Sequence, residues 1–219
     1  MPPACAPAAP APGPGRADPA VILASTSRYR RELLQRLRLP FSVVSPEVDE
    51  TPLPGETPLQ LALRLARAKA QAVARSHPGA IVIGSDQVAD LDGQAIGKPH
   101  THERAVAQLQ AMSGRTLVFQ TAVAVVRADG GFEQVECVPS RVRVRRLRME
   151  EIEAYLRAEQ PYDCAGSAKS EGLGIALLEA IQSDDPTALI GLPLIRTAAL
   201  LREAGCDPLR VLAAGAGDA

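Results

Sequence analysis

Two short segments of the chain are apolar at every position, and they restrict the possible folds more than any other feature. They are residues 21–24 (Val-Ile-Leu-Ala) and residues 80–83 (Ala-Ile-Val-Ile). A strand without polar alternation is buried on both faces, as in sheets that contain parallel strands and are covered by helices. Helix and strand patterns alternate along the rest of the chain. We therefore predict a single α/β domain, with two lobes around a cleft as one possible arrangement.

Composition excludes several classes of protein. The 219 residues have a net charge of −1 and only 3% aromatic residues, so the chain lacks the basic, aromatic-rich surface that binds nucleic acid. No apolar segment approaches the length of a membrane span. The four cysteines are widely spaced and form no CxxC pair, which fits a reducing compartment. We predict a cytoplasmic protein that binds neither nucleic acid nor membranes.

The two ends of the chain differ from its centre. Residues 1–20 are mostly Ala, Pro and Gly, without the charged start and apolar core of a signal peptide. We interpret them as a disordered extension. The folded domain is predicted at residues 21–210, with a flexible tail at residues 211–219.

The first apolar strand leads into a hydroxyl-rich turn and a basic helix start. Ser25, Thr26 and Ser27 offer hydroxyl groups and helix caps, and Arg30 and Arg31 fall in the first helical turn. Cations at a helix N-terminus oppose the macrodipole, so this arrangement is locally unfavourable unless an anion binds there. We predict a phosphate site, with an ordinary solvated helix start as the alternative.

Carboxylates follow the second apolar strand and also form an acidic loop. Asp86 comes shortly after residues 80–83, at the strand end where open α/β sheets bind ligands. A carboxylate there can bind Mg²⁺ or accept a proton from water, although a turn or cap is the simpler alternative. Glu47, Asp49 and Glu50 offer further oxygen ligands, unless they form only a solvated loop.

Lysine is rare in this chain. Of 24 basic residues only three are lysines, Lys69, Lys98 and Lys169, and each lies beside a motif. A lysine retained among arginines suggests a need for a compact point charge, although chance retention is the alternative. With Arg30 and Arg31, the first two lysines could neutralise a triphosphate. Cations and carboxylates together fit metal-assisted attack on a phosphorus atom.

Six ordered motifs resemble those of the Maf family, whose members are nucleoside triphosphate pyrophosphatases. The resemblance extends over residues 21–209. The motifs are Ala24-Ser-Thr-Ser-Arg-Tyr-Arg-Arg31, Val48-Asp-Glu50, Gly84-Ser-Asp-Gln87, Gly97-Lys-Pro99, Lys169-Ser-Glu-Gly172 and Gly191-Leu-Pro193. The resemblance implies a twisted mixed sheet with flanking helices and a central cleft, similar to inosine triphosphatases. It also implies a homodimer and cleavage between the α and β phosphates.

The resemblance also implies a role for each matching residue. Asp86 would be the catalytic proton acceptor that activates water. Glu50, with Asp49, would bind a divalent metal cation, Mg²⁺ or Mn²⁺. The implied phosphate-binding residues are Ser25, Arg30, Arg31, Lys69 and Lys98.

Three positions separate the branches of this family by base preference, and here they are Tyr29, Gln87 and Glu171. The set resembles the 7-methyl-GTP branch, whereas the dTTP and UTP branch typically has Arg, Thr and Gln. Two residues depart from the family pattern: Tyr29 replaces the usual Trp, and Arg28 replaces the usual Pro.

The chemistry of the base agrees with this assignment. N7-methylation makes guanine cationic, so an aromatic face and a carboxylate attract it, and Glu171 can accept hydrogen bonds from N1–H and N2–H. We predict hydrolysis of 7-methyl-GTP to 7-methyl-GMP and pyrophosphate, which clears modified nucleotides. The alternatives are a dTTP or UTP pyrophosphatase and a non-catalytic nucleotide-binding regulator of cell division.

Overall fold

The computed structural model describes residues 19–215. Residues 1–18 and 216–219 lie outside the described part, so most of the predicted extension and the end of the predicted tail are outside it too. At the N-terminal boundary, the Ala20 carbonyl already accepts the Ile81 N–H at 2.8 Å. Among the described helices, none is long and apolar enough to cross a membrane.

A mixed sheet of seven strands forms the centre of the described chain, with the order β2-β1-β3-β5-β6-β7 and β4 paired to β3. The strands are β1 (Val21–Ala24), β2 (Phe41–Val44), β3 (Ile81–Leu91), β4 (Gln94–Ile96), β5 (Thr116–Arg127), β6 (Phe132–Val144) and β7 (Leu178–Gln182). β1 pairs in parallel with β2 and β3, whereas β5 pairs antiparallel with β3 and with β6. The predicted α/β class and mixed sheet are confirmed.

Helices cover both faces of the sheet. They are α1 (Arg28–Gln35), α2 (Pro58–Ala74), α3 (His102–Met112), α4 (Met149–Glu159), α5 (Leu194–Glu203) and α6 (Pro208–Gly215). α2 begins at a capping box in which Thr57 and Gln60 bond to each other's backbone N–H groups. α6 spans the boundary predicted at residue 210, and its Val211 packs against the core, so the structured part extends further than expected.

The described residues form three apolar clusters. Two of them lie on the two faces of the sheet and form one lobe, and the third forms the other lobe. α2 packs on one face of the sheet, while α1 and α5 pack on the opposite face. The third cluster joins α3 and α4 to the far ends of β3, β5 and β6. These long strands therefore connect the lobes, and the middle of β3 lies where one lobe passes into the other.

β3 is longer than the sequence suggested, which corrects the predicted position of the motif at residues 84–87. We expected the strand to end at residue 83, but it continues to Leu91. β1 ends opposite Gly84, whereas β5 pairs with β3 from Val82 to Asp90 and binds its backbone along that length. Asp86 is therefore a mid-strand residue that lies just beyond the end of the parallel neighbour β1.

Gly84 lets α2 approach β3 very closely. A Cβ atom on Gly84 would lie 2.3 Å from the Ala66 carbonyl oxygen and 2.6 Å from the Ala70 nitrogen, both in the backbone of α2. Neither atom can move without displacing the helix. The absence of a side chain here thus sets the position of the helix that contains Lys69.

We expect Gly84→Ala to lower the free energy of unfolding by about 1–3 kcal/mol, because the added methyl group overpacks this contact. Urea denaturation measures the change. Gly79→Ala is the matched control, since a Cβ there meets no atom within 4 Å. Equal unfolding midpoints for the two variants would contradict the close-contact interpretation.

Candidate active site

Lys69 and Asp86 form a buried ion pair at the junction of the lobes. Strand residues two apart share a face, so Asp86 points toward α2, as the Cα–H of Gly84 does. Lys69 Nζ lies 2.6 Å from Asp86 Oδ1, and the two side chains are only 7% and 10% exposed. Buried charges are retained when they are paired, so this contact fixes both groups at one point.

Glu50 reaches the same ammonium group from the acidic loop. Its Oε1 lies 2.7 Å from Lys69 Nζ, although the Glu50 side chain is largely exposed. Burial tends to raise the pKa of this carboxyl, but Lys69, with Lys98 and Arg30 nearby, holds it below its usual value. The structure thus brings two predicted site carboxylates together on one predicted phosphate-binding lysine.

Arg30 adds a second cation beside these carboxylates. Burial lowers the pKa of its guanidinium, while the charges of Asp86 and Glu50 oppose that change. Its Nε donates to the Gly191 carbonyl oxygen at 2.9 Å, and the Ser85 hydroxyl donates to the same oxygen at 3.0 Å. One backbone carbonyl therefore orients the guanidinium and leaves its terminal N–H groups for an anion.

The hydroxyl-rich turn starts α1 as predicted. The buried Ser25 hydroxyl oxygen accepts the Ser27 N–H at 3.1 Å, and the Ser27 hydroxyl oxygen accepts the Arg30 N–H at 3.4 Å. Ser27 is thus the N-cap of the helix. The turn places Ser25 at the end of β1, next to the strand that contains Asp86.

Not every predicted site residue joins this cluster. Asp49 lies in its own loop, where its Oδ1 accepts the Thr51 N–H at 2.9 Å and hydrogen bonds from Thr51 lower its pKa. Arg31 is exposed on α1, and Lys98 is exposed between β4 and α3. Lys98 still acts on the cluster, because its charge lowers the pKa of Glu50.

Tyr29 and Glu171 both interact with Cys164 and Lys169. The charges of both residues raise the pKa of Lys169, while Cys164 is influenced by the charge of Glu171 and by a hydrogen bond with Tyr29. Burial raises the pKa of the Tyr29 phenol, and the hydrogen bond from Arg28 opposes this. The Arg28 guanidinium carbon lies 4.7 Å from the centre of the Tyr29 ring, so the ring already binds a cation.

Cys164 lies within this group as a neutral thiol. Burial, reinforced by Asp163, raises the pKa of its thiol to about 11. A thiolate is the nucleophilic form, so the raised pKa disfavours a nucleophilic role for this side chain. Its properties agree with a packed structural thiol.

Gln87, the third predicted specificity residue, holds the backbone rather than facing open space. Its Nε2 donates to the carbonyl oxygens of Ala188 and Leu189, each at 3.0 Å, and to Thr121 Oγ1 at 2.9 Å. The Thr121 hydroxyl also donates to the Ala188 carbonyl. Gln87 therefore positions the turn that precedes Gly191, the residue that orients Arg30.

Sequence reasoning missed the residues that arrange this turn. Asp185 is 1% exposed, and its carboxylate accepts hydrogen bonds from Thr187 and from the Ile195 N–H. The Thr187 hydroxyl in turn bonds to the Leu192 carbonyl and the Leu194 N–H. The adjacent acidic pair and threonine at residues 184–187 were the available signal, typical of a helix start.

The family profile described as "Maf-like protein" matches residues 20–204. The chain belongs to the Maf family. A protein of a Polaromonas species, named 7-methyl-GTP pyrophosphatase, is 71% identical over 185 residues, which are 84% of each chain. Proteins with the same name from Albidiferax ferrireducens and Burkholderia thailandensis are 64% and 66% identical, over 86% and 85% of this chain and 95% and 88% of theirs.

Among solved structures, this Maf protein is similar to a HAM1 protein from Coxiella burnetii. The match has a TM-score of 0.43 and 19% identity, and it covers 59% of this chain and 74% of the other.

The carboxylates of this Maf protein fit a divalent cation that is bound together with a nucleotide. Mg²⁺ prefers oxygen ligands and is often bound by one or two carboxylates, with substrate phosphates completing its shell. Glu50, whose exposed carboxylate lies beside the Lys69–Asp86 pair, provides such a ligand and leaves Asp86 as the proton acceptor. Residues 19–215 contain no group of three or more His, Cys, Asp or Glu side chains placed to bind a metal ion.

Proposed function

We propose that this Maf protein is a divalent-metal-dependent pyrophosphatase that converts 7-methyl-GTP to 7-methyl-GMP and pyrophosphate. The observation that supports it most is the cluster of Lys69, Asp86, Glu50 and Arg30, which combines a potential base with two fixed cations. Simple phosphate binding does not require carboxylates next to the anion. The names of the close relatives support the choice of substrate.

In the proposed reaction, water attacks the α-phosphorus atom. The bond that breaks joins this phosphorus atom to the oxygen that bridges to the β-phosphate. Asp86 takes the proton of the attacking water, and pyrophosphate leaves with the bonding electron pair. Lys69 uses two of its three N–H donors on carboxylates, so one remains for a phosphate oxygen. When bound, the divalent cation supplies further charge neutralisation at the phosphate oxygens.

For the base, we propose recognition by Tyr29 and Glu171. A cationic 7-methylguanine fits the Tyr29 face, which already attracts the guanidinium of Arg28. The Glu171 carboxylate adds attraction to the positive ring and accepts hydrogen bonds from N1–H and N2–H. A thymine presents one N–H between two carbonyl groups. The oxygen atoms of these carbonyl groups are repelled by a carboxylate.

We also propose that the protein acts in the cytoplasm, as a homodimer. Cys137 and Cys164 are free thiols, which fits a reducing compartment. The homodimer follows from the family resemblance, and sedimentation velocity tests it.

The first test is pyrophosphate release by the purified protein from 7-methyl-GTP, GTP, dTTP and UTP. Each nucleotide is assayed with Mg²⁺, with Mn²⁺ and with a chelator. Preferential turnover of 7-methyl-GTP that stops with the chelator is the expected result. A preference for a pyrimidine nucleotide would keep the chemistry and overturn the base assignment. Binding without turnover of any nucleotide would indicate a non-catalytic regulator.

We expect Glu171→Gln to lower the ratio of kcat/KM for 7-methyl-GTP over dTTP by about tenfold or more, because it removes a charge-assisted hydrogen bond. The change follows from weaker binding of guanine and weaker repulsion of thymine. Glu150→Gln, which alters an exposed glutamate on α4 that pairs with Arg148, is the control. An unchanged ratio for Glu171→Gln would refute the role assigned to Glu171.

A further inference from the structure

The last turn of α4 holds the loop that contains Glu171. Tyr155 and Glu159 are four residues apart, so they lie on the same face of the helix. The Tyr155 hydroxyl oxygen accepts the Lys169 N–H at 3.2 Å. Glu159 Oε1 accepts a hydrogen bond from Lys169 Nζ at 2.8 Å, and Glu159 Oε2 accepts the Leu173 N–H at 2.9 Å.

Glu159 is poorly placed for the helix itself. It is the final residue of α4, where a negative charge opposes the macrodipole. Its hydrogen bond with Lys169, followed by that with Leu173, keeps its pKa below the usual value. The carboxylate is therefore stabilised by the loop, and the loop by the carboxylate.

Glu171 lies between the two points that Glu159 holds. The Gly172 N–H donates to the Lys169 carbonyl at 3.1 Å, which closes a turn with Glu171 at its third position. The turn is tightly packed: a Cβ on Gly172 would lie 2.8 Å from the Glu159 carboxylate oxygens, and one on Gly174 would lie 2.5 Å from the Lys169 carbonyl. Because both ends of the turn are fixed, the backbone position from which the exposed Glu171 side chain extends is fixed as well.

We propose that Glu159 and Tyr155 are positioning residues for base selectivity, because they fix the Lys169–Leu173 turn that presents Glu171 to the nucleotide base. This inference rests on the proposed function. Tyr155 is 3% exposed, so its own contact with a nucleotide is excluded. Glu159 is likewise occupied on both oxygens by the turn. Their influence on the base therefore passes through Glu171.

The test compares Glu159→Ala with wild type on 7-methyl-GTP and dTTP. We expect the kcat/KM ratio of 7-methyl-GTP over dTTP to fall about tenfold, mainly through KM for 7-methyl-GTP, because a mobile Glu171 binds guanine less well. Turnover of dTTP should stay the same or rise slightly, because a mobile Glu171 repels the thymine carbonyl oxygens less. In the double variant Glu159→Ala/Glu171→Gln, the kcat/KM ratio should be almost the same as in Glu171→Gln alone.

Tyr155→Phe tests the same turn without removing a charge. It therefore tests the positioning role even if Glu159→Ala does not fold. It should lower the selectivity ratio about threefold, in proportion to one neutral hydrogen bond. Glu153→Ala, on the same helix but paired with Arg157 and His102, is the control and should leave the ratio unchanged.

An unchanged kcat/KM ratio would overturn the positioning role, whether kcat/KM is unaltered or falls equally for both nucleotides. A wild-type protein with no preference for 7-methyl-GTP would instead refute the proposed function, so the two failures are distinguishable.

Discussion

Asp86→Asn should reduce kcat for 7-methyl-GTP about 10³-fold, because an amide cannot take the proton of the attacking water. KM should not rise, since removing a negative charge does not weaken the binding of a triphosphate. The fold should survive: Lys69 still has Glu50 as a partner at 2.7 Å. Pyrophosphate release gives kcat, and calorimetric titration with 7-methyl-GTP shows whether the variant still binds.

Asp90→Asn is the control on the same strand. Asp90 accepts the Gly93 N–H at 2.7 Å in the β3–β4 hairpin and lies away from the Lys69 cluster. Its replacement should change kcat by less than about twofold, as for a surface polar contact. If Asp86→Asn kept more than about a tenth of the wild-type kcat, Asp86 would not be the proton acceptor. If both variants lost activity equally, damage to the sheet would explain the loss.

Local sequence signals were sufficient for most individual elements. The helical pattern of residues 149–159 coincides with α4, and the Asp-Gly pair after β3 forms a hairpin turn, as this pair favours, with φ values of 52° at Asp92 and 82° at Gly93. Thr101, a residue type favoured at helix starts, caps α3, with its hydroxyl oxygen accepting the Arg104 N–H. Each of these features depends on residues that are close in the chain.

The extent of β3 could not be predicted locally. Its second half is polar at Ser85, Asp86 and Gln87, so the apolar pattern stops at Gly84. The strand continues because β5, which begins only at Thr116, pairs with it residue by residue. Pairing with a distant strand overrides the local pattern, and it is also what places a carboxylate in the middle of the sheet.

The types of site residue were predictable, but their pairing was not. The sequence offered three lysines beside motifs, and only the structure assigns Lys69 to Asp86 and Lys169 to Glu159. The carbonyl that orients Arg30 belongs to Gly191, in one of the six motifs, but any residue supplies a carbonyl, so the contact with Arg30 could not be predicted. Contacts of this kind depend on where the turn at residues 188–191 packs.

Lys69→Met should lower the free energy of unfolding by about 3 kcal/mol, because it leaves the buried Asp86 carboxylate without its cation. Lys69 and Asp86 are 7% and 10% exposed, so water cannot replace the ammonium group easily. The same substitution should lower kcat about 10²-fold or more by removing a fixed positive charge beside the phosphates. Urea denaturation and pyrophosphate release measure the two effects separately.

Two comparisons separate pairing from general damage. Lys98→Met removes an exposed lysine, so the free energy of unfolding should change by less than about 0.5 kcal/mol. The double variant Lys69→Met/Asp86→Asn should be more stable than Lys69→Met alone, because it no longer buries an unpaired charge. If the two substitutions instead destabilised the protein additively, the ion pair would contribute no coupling. Lys69 would then act only as a ligand for the phosphates, and not as the residue that allows a catalytic carboxylate to exist inside this sheet.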